Sequence, residues 1–153
     1  MATSFKGFSA NVMLTYTPEE SKILRKDHWR VESPFRYYLG DKYSNSWVYV
    51  PEGYLTDGAS VPRIFWGLIP PWGIYGQAAV VHDYLCEFLS ITVDGDPLSI
   101  TRKRADEIFL EAMTVLEVPA YLKYPMFYAV SAYRVVARIN GPVSNPHIRE
   151  LER

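Results

Sequence analysis

The chain has 153 residues, 48% of them hydrophobic and 15% aromatic, with a formal net charge of -1. That length and apolar content suit a single domain, residues 1–153, around one core, and they exclude a globally disordered chain. The near-zero charge gives no electrostatic bias towards nucleic acid, and the single cysteine excludes an intramolecular disulfide and cysteine-based structural zinc. Cys86 fits a protein made in a reducing cytoplasm. No stretch reaches the roughly 18 apolar residues of a membrane span, and MATSFKGFSANVML lacks the apolar run of a secretory signal.

In chain order, residues 1–60 read as the β-rich part. Short strands are predicted over residues 5–16, 29–31, 35–39 and 46–50, with DKYSN (residues 41–45) as a hairpin loop. Pro18-Glu19-Glu20 and Pro34 read as breaks. Val50-Pro51-Glu52-Gly53 and Thr56-Asp57-Gly58 read as turns. Residues 61–140 read as the helical part. A short helix is expected over residues 61–68, then a Pro-Pro-Trp-Gly loop, then helices over residues 75–88 and 101–117. In the last of these, Ala105, Ile108, Phe109, Ala112, Met113 and Leu116 recur at helical spacing, and Thr101 stands ready as N-cap. Asp94-Gly95-Asp96 reads as a turn in the connection between the two. A third helix is predicted over residues 120–140, bent near Pro125, and residues 141–153 read as a peripheral polar tail. The fold class expected is α+β: a small N-terminal antiparallel β-sheet with a C-terminal three-helix layer.

The chemistry concentrates in two helices. His82 sits in an apolar helical run directly before Asp83, about six residues before that helix ends. Asp106 lies about five residues after the next helix begins. A connection of about a dozen residues lets the helices run antiparallel, and at about 1.5 Å rise per residue the two side chains come level. A His82–Asp106 hydrogen bond would fix the imidazole tautomer and raise its basicity, as a general base requires. The same pair also makes a buried polar tie between packed helices, which is the commoner use of such groups. Asp83 points about 100° away from His82 and is either a metal ligand or the partner of Arg63, Arg102 or Arg104, the ion pair being the expected outcome. Asp57 completes a turn and is a candidate third member aimed at His82 or a metal. Ser60 lacks the elbow motif of a serine nucleophile. His28 and His147 are expected to be solvated. The tyrosines 121, 124, 128 and 133 occupy more than one face of their helix, so some are expected to contact a partner.

The motifs TDGASVPR (residues 56–63), HDYL (82–85) and RKRAD (102–106) resemble a family of bacterial and phage proteins, domain of unknown function 1353. Its pattern reads TDGAS[IV]PR, then HDxLY, then RxxAD. Cys86 stands where the family carries a tyrosine. The resemblance covers roughly residues 49–138 and implies a phage or prophage origin, with no established activity. The His82-Asp83 pair and the facing Asp106 are also similar to the phospholipase A2 arrangement, which implies His82 as general base, Asp106 as its orienting carboxylate and Asp83 as a calcium ligand. For the glycine-rich calcium loop of that family only the bulkier Pro71-Trp72-Gly73-Ile74-Tyr75-Gly76 is available, and the family's disulfides are absent from this sequence.

The function expected is a phage accessory protein, built into the virion at the tail, tail tip or neck. It would be made in the host cytoplasm and act through contacts with other phage proteins or with itself, with no nucleic acid and no cofactor. The alternative is a calcium-dependent phospholipase-like or esterase-like hydrolase using His82 and Asp106. A third reading is a cytoplasmic factor acting against host defences.

Overall fold

Alternating strand residues near the start and helical stripes near the end do separate in space. The computed structural model describes residues 7–40, 44–57 and 74–137. Its order is β1 (Leu14–Tyr16), α1 (Pro18–Leu24), β2 (Trp29–Val31), β3 (Phe35–Tyr38), β4 (Ser46–Val50), β5 (Leu55–Thr56), α2 (Gly76–Phe88), β6 (Ser90–Val93), β7 (Asp96–Ser99), α3 (Arg102–Val115) and α4 (Ala120–Val136). The strands form an antiparallel three-stranded sheet, β1-β2-β5, and an antiparallel four-stranded sheet, β3-β4-β6-β7. The fold is α+β, as expected from the sequence.

Several elements differ from the sequence reading. Residues 5–16 hold only β1 and a single bridge between Phe8 and Tyr37 among the described residues. Pro18-Glu19-Glu20 starts a helix rather than breaking the chain. Proline lacks the N–H that a first turn leaves unbonded, and the two glutamates face the positive end of the helix dipole. The connection after α2 is itself a hairpin. Asp94 (φ 52°) and Gly95 (φ 86°) both take the left-handed backbone that a two-residue hairpin turn requires, and β6 docks on β4. The helix expected over residues 61–68, the loop after it and the tail over residues 141–153 lie outside the described residues. His28 is buried rather than solvated: its Nδ1 lies 2.7 Å from the Lys26 carbonyl and its N–H donates to Ser21 Oγ. His147 lies outside the described residues.

The core runs between the four-stranded sheet and α2 and α3. Phe8, Phe35, Tyr37, Val48 and Val50 face Ile108, Phe109 and Met113 within one apolar cluster. α2 is buried on nearly every side, which explains its apolar residues all round. α4 covers the outside of α3 with Met126, Ala129 and Val130. Tyr37 brings a polar group into the buried face of the sheet. Its hydroxyl donates to Glu111 of α3, and burial followed by that carboxylate pushes the phenol well above its ordinary value. Among the described residues, Tyr37→Phe leaves Glu111 with only the long Gly40 N–H contact at 3.4 Å. It should cost about 1 kcal/mol in urea unfolding, the typical net worth of one internal hydrogen bond.

Candidate functional site

The pairing of α2 with α3 fixes the site. The Ile100 N–H donates to the Leu89 carbonyl at 3.0 Å, so the end of α2 meets the start of α3 and the two run antiparallel. Thr101 caps α3 by accepting the Arg104 N–H at 3.0 Å. His82, seven residues before Leu89, then comes level with Asp106. The His82 Nε2 to Asp106 Oδ1 distance is 2.7 Å, and the two side chains are 2% and 1% exposed. The opposed pair expected from the sequence is therefore formed.

A third helix joins it. Arg134 of α4 donates from Nε to the other carboxylate oxygen, Asp106 Oδ2, at 2.9 Å. Ser131 Oγ lies 3.5 Å from the same oxygen. One carboxylate thus ties α2, α3 and α4 together. The imidazole is closed in on its remaining sides: it stacks on Phe109 with ring centroids 4.6 Å apart, and Cys86 Sγ lies 3.5 Å from Nε2 and 3.8 Å from Nδ1.

Electrostatics follow from this packing. Burial disfavours a charged His82, but the Cys86 sulfur and the Asp106 carboxylate outweigh it and raise the imidazole to about 10. Burial likewise disfavours a charged Asp106, and His82 and Arg134 outweigh it, holding that carboxyl below its ordinary value. Both shifts favour the charged forms, an imidazolium facing a carboxylate that also holds the Arg134 guanidinium. An imidazolium has no lone pair with which to accept a substrate proton.

Asp83 and Asp57 meet elsewhere. Asp83 Oδ2 accepts the Thr56 hydroxyl at 2.8 Å and the Asp57 N–H at 3.2 Å. Asp57 Oδ2 pairs with Lys26 Nζ at 2.7 Å, so Asp57 is engaged with Lys26 and Asp83. The ion pair expected for Asp83 is not made by Arg102 or Arg104: Arg104 lies 3.6 Å from Glu107, and Arg102 is buried with no partner for Nε or Nη1 among the described residues. Arg63 lies outside the described residues. Burial and the neighbouring Asp57 charge raise Asp83 well above its ordinary value. Asp83 Oδ2 already faces two hydrogen-bond donors, a poor position for a calcium ion, which needs a shell of six or more oxygens. Asp83→Asn keeps an acceptor for both donors and removes a carboxyl whose charged form burial and Asp57 disfavour. It should raise the unfolding free energy measured in urea at neutral pH by about 0.5 kcal/mol, the size of a partly solvated charge pair.

Sequence reasoning missed Arg134 and the burial of Arg102. Arg134 shares a helical face with Ser131, three residues earlier, and that spacing was the only signal available. Arg102 stands one turn before Asp106 on the same face of α3, which was a readable sign that it turns inward.

Comparisons with known proteins agree with the motifs. The chain is 37% identical over 86 residues to the uncharacterized protein y4jT of Sinorhizobium fredii (strain NBRC 101917 / NGR234), a stretch that covers 55% of this chain and 23% of that protein. The chain thus spans about a quarter of the length of this relative. No solved structure matches it. A family model described as Protein of unknown function (DUF1353) matches residues 29–130, and the chain belongs to that family.

Proposed function

We propose that this chain is a non-catalytic assembly protein that acts through contacts with other protein subunits. The observation that carries this reading is the outer face of α4. Tyr121, Tyr128 and Val136 are 77%, 64% and 82% exposed there, and every residue of that face is uncharged. A solvent-facing helix surface ordinarily carries charge, and a contiguous apolar one marks a docking site. On this reading His82, Asp106 and Arg134 are the brace that holds α4 in place to present that face.

The setting proposed is a phage or prophage particle, at the tail, tail tip or neck, after synthesis in the host cytoplasm. The phage association implied by the three motifs supports it. Quantitative mass spectrometry of purified particles tests it. A fixed copy number relative to tail proteins is the expected result. Absence from particles would overturn the virion setting.

A second reading is a hydrolase of lipids or esters using His82 and Asp106. The 2.7 Å contact between antiparallel helices favours it. The burial and enclosure of the imidazole, and the upward shift that favours its charged form, count against it. Turnover of a phospholipid or ester by the purified protein, lost in His82→Gln without loss of folding, would establish it over the assembly reading.

A further inference from the structure

We infer that the partner of the α4 outer face is a second copy of this chain, docked antiparallel through the same helix. The inference rests on the contact reading above and names its partner.

The argument begins with helical spacing. Tyr121, Tyr124, Pro125 and Tyr128 fall on one stripe of α4, and Ala132, Val135 and Val136 continue it. All of these residues are exposed. The opposite stripe, with Met126, Ala129 and Val130, is buried. Of the two cations of α4, Lys123 lies at the edge of the outer stripe and Arg134 is turned off it. Lys123 Nζ sits 5.0 Å from the Tyr124 ring centroid and 3.3 Å from Thr114 Oγ1, and Arg134 is bound to Asp106. The outer stripe therefore meets its own copy with no like-charge repulsion.

Size then selects the partner. The stripe is bulky in its first half and small in its second half. A twofold axis through Tyr128 places Tyr121 against Val135 of the second copy and Tyr124 against its Ala132. Tyr128 meets its own equivalent on the axis. On either side of that central Tyr128 pair large side chains face small ones, which is the self-complementarity that an isologous contact requires. The Tyr124 and Tyr128 rings lie side by side, with centroids 6.5 Å apart and planes 29° apart, and form one continuous aromatic surface. Rings of about 150–250 Å² each, two of them mostly exposed and Tyr124 43% exposed, put several hundred Å² on each copy. Two copies reach the roughly 1,000 Å² that a specific interface needs. A lipid surface is the weaker match, since such helices carry many Lys and Arg on the polar face.

Sedimentation of the purified full chain, with a thermal melt of each variant, tests the inference. The wild type should sediment as a dimer. The Tyr124→Glu, Tyr128→Glu double variant should show half that mass with an unchanged melt. Tyr128→Cys should form a disulfide with its own copy, whereas Tyr121→Cys should do so only when mixed with Val135→Cys. A wild type that stays monomeric at every concentration overturns self-pairing, and the particle assay then still tests the virion setting. A dimer that survives both glutamates overturns the α4 seam. Cosedimentation of a monomer with phosphatidylcholine–phosphatidylglycerol vesicles, abolished by the double variant, overturns the protein partner in favour of a membrane surface.

Discussion

Asp106→Ala is expected to destabilise this protein by about 3–5 kcal/mol, and His82→Ala by about 1–3 kcal/mol. The order follows from connectivity. Asp106 accepts from His82 on one oxygen and from Arg134 on the other, so its loss leaves two buried or half-buried cationic groups without their counter-charge. Loss of His82 leaves the carboxylate still bound to Arg134 at 2.9 Å. It also opens a gap beside Phe109. For a chain of this length each kcal/mol moves the melting temperature by about 2–4 °C. Urea unfolding of the two variants checks the order. A double-mutant cycle between His82 and Arg134 adds a sharper reading, because groups sharing one carboxylate should couple rather than add.

Alkaline pH should weaken the fold, and His82 should be a main cause. Its folded value, about 10, lies above the ordinary 6.5. A group raised on folding contributes stability that is fully present below its unfolded value and is lost as pH climbs through the folded one. The loss should therefore run from about pH 6.5 towards 10. Asp106 works in the other direction. Its folded value is lowered, so its contribution is present above the ordinary carboxylate range and is lost on acidification. The urea midpoint should fall between neutral pH and pH 10, and His82→Gln should flatten that fall. An alkaline limb unchanged in the variant would remove His82 as its cause.

The His82–Asp106 pair was legible because a short connection and the helical rise place the two residues level. The third member was not, since Arg134 lies 28 residues beyond Asp106 and only the docking of α4 brings it in. The β6–β7 hairpin was hidden for a different reason. All four residues of β7 are exposed and one is proline, so no alternation marks the strand. Helix α1 was read as a break because its opening proline is a signal of both interruption and helix start. The burial of His28 depends on Ser21 and the Lys26 carbonyl closing around it, a local wrap that leaves no periodic trace.

The central claim is that His82 is a charged brace and not a general base. The protonation of its two ring nitrogens, read by nitrogen-15 NMR across a pH titration of the folded protein, tests this most directly. Both nitrogens should carry protons at neutral pH, and the ring should lose one only as the pH approaches 10. A His82 that is neutral at pH 7, with one ring nitrogen free to accept a proton, would contradict the account.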